Sequence, residues 1–344
     1  MNMKSFTRRA AIAAFCLASH MGVALAQANT PIRFQLDWRF EGPGALFLLP
    51  AEKGYFKENG LDVTIDVGSG SGAAVARVAT GTYDMGFADM GALMEFHANN
   101  PDAPNKPIAI MMVYNNSALA ALTLKKNGIN QPSELSGKKL GAPIFDGGRK
   151  AFPIFAKANN ISNVNWITMD VPLKETMLVR GDLDAIVGFS FTMLLNMEAR
   201  NVKREDITLW SYTDSGVKFY GSTILVAPQF AARNPEAVKA FLRAFTKGAK
   251  EVIANPEASV ATVRNRDPLI NVPLELKRLD LALKSSVLTP DARREGFGNI
   301  DMARLKVMAD HISDVFGVKQ RVDAASIWNG SFLPSAAERN ILGN

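Results

Sequence analysis

The sequence predicts an α/β protein of two similar lobes, each a mostly parallel sheet flanked by helices, with a cleft between the lobes. Short strand-like runs alternate with stretches that carry apolar residues at helical spacing, which is typical of βα units. The segment at residues 184–189 (Asp-Ala-Ile-Val-Gly-Phe) also echoes the segment at residues 84–88. A chain of 344 residues is long enough for two domains with ample core.

The first unit, residues 33–65, has the pattern strand, turn, helix, turn, strand. Residues 33–38 alternate polar and apolar side chains, residues 45–58 have helical spacing, and residues 61–67 return to a strand pattern. Open α/β sheets bind ligands at the carboxyl ends of such strands. The residues expected at that end of the first strand are Asp37, Trp38, Arg39, Phe40 and Glu41. A flat aromatic ring among charges predicts a small-molecule pocket.

The later elements continue this alternation. Further strands are expected over residues 83–88, 108–114, 119–125, 139–142, 165–169, 183–189 and 219–226. Further helices are expected over residues 73–81, 151–159, 173–179, 237–254, 257–264, 274–283 and 301–316. Residues 29–120 plus 224–344 are expected to form the first lobe and residues 121–223 the second. The two crossings, near residues 118–125 and 219–224, would then form a hinge.

Three motifs carry a family resemblance: D-W at residues 37–38, K-G-Y-F-K-E-N-G-L-D-V at 53–63 and G-T-Y-D-M-G at 81–86. They resemble the periplasmic solute-binding proteins of ABC importers, in the branch related to thiamine pyrimidine synthase and to sulfonate- and nitrate-binding proteins. The resemblance implies a type II periplasmic-binding-protein fold and an ABC permease as partner. The family usually has Pro-Asn after the tryptophan, whereas this chain has Arg-Phe-Glu at residues 39–41. The ligand is therefore not transferred from any relative.

Residues 1–28 are predicted to be a secretory signal peptide. Basic residues precede an apolar, alanine-rich run, and small residues predict cleavage after Ala26 or Ala28. The alternative, a membrane anchor, needs about 20 unbroken apolar residues, and His20 interrupts this run. We therefore expect a periplasmic protein.

The chemistry that the sequence lacks argues against an enzyme. Cys16, the only cysteine, lies in the predicted signal peptide, so the mature protein has no disulfide, thiolate nucleophile or cysteine metal site. Beyond the signal only His97 and His311 remain, and no H-E-x-x-H, G-x-S-x-G or CxxC motif is present. Thiamine pyrimidine synthases of the related family consume a histidine and use a cysteine-rich motif with iron, which finds no match here. No cofactor is expected, and nucleic-acid binding has little support because no Lys/Arg cluster stands out.

On the first lobe, Trp38 is suited to stack on a planar ligand, because its ring gives contact area at small entropic cost. Asp37 is suited to accept a hydrogen bond from an amine or amidine, and Arg39 to pair with a carboxylate. The Gly/Ser turn at residues 68–72 precedes a helix, whose N–H groups suit an anion or a polar ligand edge. The site residues predicted on this lobe are Asp37, Trp38, Arg39, Glu41, Gly70, Ser71, Asp89 and Asn115. Two alternatives stay open: Trp38 closes the sheet edge, and Ser71 only caps the helix.

On the second lobe, the turn at residues 146–149 offers N–H donors and a cation at a helix start, and residues 189–192 offer an apolar wall with a hydroxyl. The site residues predicted there are Asp146, Gly147, Gly148, Arg149, Phe189, Phe191 and Thr192. Tyr220, near the second crossing, is expected to close the cleft. Core packing of the two phenylalanines and a hinge contact for Tyr220 are the alternatives.

The function predicted from these residues is an exported, monomeric receptor that closes around a small planar ligand and delivers it to an ABC permease. A thiamine-precursor pyrimidine or a related aromatic or heteroaromatic molecule fits the tryptophan. A sulfonate- or nitrate-type anion receptor, an enzyme of pyrimidine synthesis and a ligand-sensing subunit are the alternatives.

Overall fold

The computed structural model describes residues 29–215, 219–315, 318 and 320–341. The predicted signal peptide, with Cys16 and the residues before both predicted cleavage points, lies outside the described residues. Within the described part, the strands form two five-stranded sheets with helices packed against them.

The first sheet combines strands from the start of the chain with one later strand. Its strands are β1 (Thr30–Gln35), β2 (Leu61–Asp66), β3 (Met85–Asp89), β4 (Ile108–Met112) and β10 (Ser222–Val226). Their order is β2-β1-β3-β10-β4. β1, β2 and β3 are parallel, whereas β10 is antiparallel to both of its neighbours.

The second sheet is formed from the middle of the chain. Its strands are β5 (Leu119–Leu124), β6 (Lys139–Gly141), β7 (Asn165–Ile167), β8 (Ala185–Phe189) and β9 (Ile207–Ser211). Their order is β7-β6-β8-β5-β9, and β5 is antiparallel to both of its neighbours. In each sheet the antiparallel strand is the one that enters directly after a crossing. The predicted fold class, two α/β lobes with mostly parallel sheets, is therefore confirmed.

The helices cover the faces of both sheets. They are α1 (Ala45–Glu52), α2 (Tyr55–Glu58), α3 (Ser71–Ala79), α4 (Met90–Asn99), α5 (Gly147–Ala158), α6 (Lys174–Arg180), α7 (Ser190–Glu198), α8 (Pro228–Arg233), α9 (Pro235–Ala254), α10 (Pro256–Arg266), α11 (Val272–Ala282), α12 (Pro290–Glu295), α13 (Met302–Val315) and α14 (Ala324–Ile327). A π-helical turn, Leu283–Val287, follows α11. Among the described residues no helix has the length and apolar character needed to span a membrane.

Two predicted helix boundaries are wrong. The single helix predicted over residues 45–58 is divided into α1 and α2 at Gly54, whose φ of 77° is left-handed and suits glycine. α5 begins at Gly147 rather than at residue 151, so residues 146–149, predicted as a turn, form its N-cap and first turn.

The C-terminal helices pack on the first sheet and hold β1 in place. The predicted apolar stripe of α9 is buried: Val238, Phe241, Leu242, Phe245, Ala249 and Val252. The Phe241 ring stacks on Phe34 of β1, with 5.2 Å between centroids, and on Phe56 of α2, with 4.8 Å. Because α9 packs against β1 in this way, the residues that follow β1 have a fixed position.

The two crossings between the sheets lie side by side. The Gly221 N–H donates to the Tyr114 carbonyl (2.9 Å), and the Ser117 N–H donates to the Phe219 carbonyl (3.2 Å). The sheets are therefore joined by a short, hydrogen-bonded pair of segments, an arrangement compatible with hinge motion.

Candidate functional site

The strand ends of the two sheets face each other across a cleft that holds two adjoining cavities. One has about 300 Å³ of space and is lined by Asp37, Trp38, Gly70, Ser71, Asp146, Gly147, Gly148, Lys174, Phe189 and Thr192. The other has about 380 Å³ and shares Asp37, Trp38, Phe189 and Thr192; it adds Leu36, Arg39, Glu41, Pro43, Gly44, Phe47, Phe87, Tyr114 and Phe191. Most of the predicted site residues therefore lie around one space.

Trp38 lies on the wall of both cavities. Its ring is half-buried, and Nε1 is buried without a hydrogen-bond partner among the described residues. The ammonium of Lys174 lies 5.4 Å from the ring centroid. A ring that lines both cavities and an unmatched N–H donor give this residue two ways to contact a ligand.

Three elements of the first sheet's edge are joined through Ser71. The Ser71 hydroxyl donates to the Asp37 carboxylate (3.2 Å) and accepts from the Asp89 N–H (3.0 Å). Asp89 in turn caps α4, since its Oδ1 accepts from Gly91 N (2.8 Å). Burial raises the pKa of Asp37 to about 7, although the hydrogen bond from Ser71 opposes the shift. Burial also raises the pKa of Asp89 to about 8, against the hydrogen bonds from the helix N-terminus.

Gly70 lets the two sides of the cleft approach closely. Its φ of 132° is a conformation that other residues rarely adopt. A Cβ at this position would stand 2.3 Å from the Phe145 carbonyl oxygen, which belongs to the opposite side. The same oxygen accepts a hydrogen bond from Gly72 N (3.1 Å). The predicted N–H donors of this turn are thus partly used by the other lobe.

On the second sheet, Asp146 caps α5 and meets a buried lysine. Asp146 Oδ1 accepts from Gly148 N (2.7 Å), and its Oδ2 lies 3.6 Å from the ammonium of Lys174. Lys174 is 1% exposed and donates to the Val187 carbonyl (2.9 Å). Burial raises the pKa of Asp146, while the charge of Lys174 opposes the shift. Lys174 was not among the residues predicted for the site; its position in the first turn of α6, where a cation is unfavourable, was the available signal.

Glu41 and Thr192 also join the two sides of the cleft. The Thr192 hydroxyl donates to Glu41 Oε2 (2.9 Å), and Arg278 of α11 lies 3.4 Å from the same oxygen. Arg278 is 2% exposed and also donates to the Thr192 carbonyl (3.1 Å) and to Glu275 (2.9 Å). Burial raises the pKa of Glu41, against the charge of Arg278. These two predicted residues therefore contact each other as well as the cavity.

The structure does not bring four of the predicted residues into either cleft cavity: Arg149, Asn115, Tyr220 and Asp89. Arg149 lies over the Trp166 ring, 4.8 Å from its centroid, and donates to Thr168 (2.8 Å). Asn115 and Tyr220 both donate to Glu295 of α12, at 2.9 and 3.0 Å. These partners come from elements distant in sequence, which local patterns do not show.

Asp89 and Tyr220 line a third cavity of about 250 Å³, which we call the hinge-side cavity. It also contacts Leu119 at the start of β5 and Phe219 in the second crossing. It lies between the sheets, next to the crossings.

The apolar wall of the cleft contains more aromatic rings than predicted. Tyr114 is buried and makes edge contacts with Phe87, Phe189 and Phe191, with centroids 5.2 to 6.2 Å apart. Burial raises the pKa of Tyr114 well above its usual value. No group of three or more His, Cys, Asp or Glu residues in the described ranges is arranged to hold a metal ion.

Solved structures identify the fold as that of the type II periplasmic binding proteins. The alkanesulfonate-binding protein SsuA of Xanthomonas axonopodis pv. citri, bound to MOPS, matches with a TM-score of 0.68 and 12% identity, over 88% of this chain and 98% of that one. The periplasmic aliphatic sulphonate binding protein SsuA of Escherichia coli matches with a TM-score of 0.66 and 12% identity, over 89% and 94%. At such identities the likeness concerns the fold alone.

The family follows from the sequence: residues 45–259 match the NMT1/THI5 like model, and the chain belongs to this family. The 4-amino-5-hydroxymethyl-2-methylpyrimidine phosphate synthase of Aspergillus parasiticus is 25% identical over 257 residues, which cover 72% of this chain and 73% of the relative. The formylaminopyrimidine-binding protein of Halalkalibacterium halodurans is 23% identical over 252 residues, covering 72% and 74%. The predicted family resemblance is confirmed, and relatives named as synthases stand beside one named as a binding protein.

Proposed function

We propose that this protein is an exported receptor of an ABC importer, which closes around a small planar organic molecule that carries hydrogen-bond donors. One observation carries the proposal: the strand ends of two similar sheets enclose a cleft with an indole ring, an aromatic wall and several buried carboxyl groups. A pyrimidine with an exocyclic amine, the kind of molecule named in several relatives, has the matching flat shape and donors.

Closure by hinge motion is supported by contacts that require both lobes to be together. We assign residues 29–120 with 224–344 to one lobe and residues 121–223 to the other. Lys150 of α5 pairs with Glu95 of α4 at 3.1 Å, in addition to the contact of Thr192 with Glu41. A ligand that touches both lobes would add to these contacts only in the closed state, and this difference in affinity is what drives closure.

The charges of the cleft favour a donor-rich ligand over a sulfonate or nitrate. Asp37, Asp89 and Asp146 repel one another, and this repulsion adds to burial in raising the pKa of Asp37 and Asp89. Lys174 already interacts with Asp146. An anion would enter beside these carboxyl groups, whereas an amine or amidine would offset their charge.

The receptor is also favoured over a pyrimidine-forming enzyme by the residues that line the cleft. None of the described residues around the two cleft cavities is a histidine or a cysteine. His97 is buried elsewhere and contacts the Pro107 carbonyl at 2.7 Å. The nucleophile and base that the relatives' chemistry would require are therefore not assembled at the ring-binding position.

The proposal is tested by identifying the ligand and then removing the indole. Native mass spectrometry of the exported protein should reveal a co-purified small molecule. Calorimetric titration with formylaminopyrimidine, MOPS and nitrate should show binding of the first and the weakest binding of nitrate. Trp38→Ala should weaken binding by about 1–3 kcal/mol, or about 5- to 150-fold, if stacking resembles that of bases on aromatic residues.

Trp210→Ala on β9, outside both cleft cavities, is the matched control and should leave affinity unchanged. Equal affinity in the Trp38 variant, or turnover of a bound pyrimidine, would refute the proposed function.

A further inference from the structure

The hinge-side cavity is separate from the space in front of Trp38 and is mainly apolar. Leu119 of β5 and Ile154 of α5 form its wall on the second lobe, and Met308 of α13 closes it from behind. Its volume of about 250 Å³ is smaller than that of either cleft cavity. This size suits a substituent of a larger ligand rather than a complete second ligand.

Asp89, which lines this cavity, has one polar atom without a partner in the described part of the chain. Asp89 is 1% exposed, and its Oδ1 is used by the N-terminus of α4, while Oδ2 is buried without a hydrogen bond among the described residues. A buried carboxylate oxygen without a donor costs free energy, which a ligand donor would recover. The charged groups that act on Asp89 are Asp37 and Asp146, which are both acidic. A positively charged donor at this site would offset the repulsion and favour the ionised form of Asp89.

The polar groups near Asp89 leave little for a water molecule to bind. The Tyr220 hydroxyl is used by Glu295 and Asp301 N. The Ser117 hydroxyl accepts from Leu119 N, so only its own hydrogen remains to be donated. A buried water usually needs two to four partners. An amine attached to an apolar group fits the walls better.

Gly147 lies between the main cleft and the hinge-side cavity. It lines the cleft cavity next to Trp38. A Cβ at this position would stand 3.4 Å from Ser71 Oγ, 3.5 Å from Asp89 Cβ and 3.7 Å from Leu119 Cδ2. The absence of a side chain at residue 147 therefore leaves space where the two cavities approach each other.

We propose that the hinge-side cavity is a second subsite, which takes an ammonium or amidinium substituent of a ligand whose ring lies against Trp38. The charged nitrogen donates to Asp89 Oδ2, and the carbon next to it packs against Leu119, Ile154 and Met308. This inference rests on the proposed function and adds a substrate class, the ring-bearing organic cations. In this proposal Asp89 is the residue that makes the protein prefer a ligand with an amine over the same ligand with an alcohol.

The test uses benzylamine and benzyl alcohol, which have similar shape and differ in charge. Methyl resonances of Ile154 and Met308, and the indole N–H resonance of Trp38, are followed by NMR during titration of the exported, mature protein. Benzylamine should shift all three signals and bind at least tenfold more tightly than benzyl alcohol. Asp89→Asn keeps an oxygen for the helix cap and should abolish this preference.

Gly147→Ala provides a second variant, because its Cβ makes only ordinary contacts. It should reduce the methyl shifts caused by benzylamine and leave the indole shift in place. If benzylamine leaves both methyl signals unmoved, or if Asp89→Asn keeps the preference for the amine, the subsite is refuted. An indole response without a methyl response would refute the subsite while leaving the receptor proposal intact; methyl shifts without an indole response would contradict the stacked ring.

Discussion

The buried aspartates should make the unliganded protein less stable as the pH rises from about 5 to 8. Burial raises the pKa of Asp37 to about 7 and that of Asp89 to about 8, from a usual value of 3.8. Between the usual and the raised values the folded protein holds protons that the unfolded chain has released. The free energy of unfolding therefore falls with increasing pH, and this contribution is fully present only below about pH 4.

The size of the effect follows from the shifts. One pKa unit corresponds to about 1.4 kcal/mol, so the shifts represent on the order of 4 kcal/mol for Asp37 and 6 kcal/mol for Asp89. Opening of the cleft would hydrate both carboxylates, so the measured loss is limited by the free energy of opening. We expect a loss of about 1–3 kcal/mol per group between pH 5 and 8.

Urea unfolding at several pH values, followed by tryptophan fluorescence, measures this loss. Asp37→Asn and Asp89→Asn should each flatten the dependence of the unfolding free energy on pH, whereas Asp62→Asn, at an exposed position of β2, should keep it. His97 acts in the opposite direction, because burial lowers its pKa, and its contribution is common to all variants. If both aspartate variants keep the full decline between pH 5 and 8, the electrostatic account of the cleft is wrong.

Two further predictions concern the packing of α11 against the cleft. Arg278→Met should lower the free energy of unfolding by about 3–5 kcal/mol, because it leaves buried carboxylates without their cation. The control, Lys277→Met, removes an exposed ion pair and should lower it by less than about 1 kcal/mol. Equal losses in urea unfolding would contradict the role of Arg278 as the cation that compensates the buried carboxylates. Gly42→Ala places a Cβ 2.0 Å from the Glu275 carbonyl oxygen and should lower stability by about 1–3 kcal/mol. Gly44→Ala, whose Cβ would meet nothing closer than 3.9 Å, is its control, and a similar melting temperature for the two variants would refute the close contact.

Much of the site was predictable because it follows the ends of strands. Asp37 and Trp38 follow the end of β1 after one intervening residue, and Phe189 ends β8. In parallel sheets these ends lie on one edge, so a chain with two such sheets places them around a cleft. The local pattern was therefore sufficient to place these residues beside the cleft.

Other predicted site residues lie close to the cleft along the chain, but their side chains contact residues outside it. Arg149 starts α5 beside the cleft, yet its guanidinium turns to Trp166 and Thr168. Asn115 and Tyr220 lie in the crossings and bind Glu295, which is 180 and 75 residues away. The choice among such partners depends on how distant elements pack.

The sequence by itself determined the two-lobed fold class, the aromatic residue after β1 and most of the strands and helices, although α4, α7 and β9 were not predicted. These follow from periodicities of two and 3.6 residues, which are set by neighbours in the chain. The tertiary structure alone decided that Lys174 is buried beside Asp146 and that Arg278 reaches Glu41. A charged side chain is stable inside a protein only where a partner compensates its lost hydration, and that partner is supplied by the folding of remote segments.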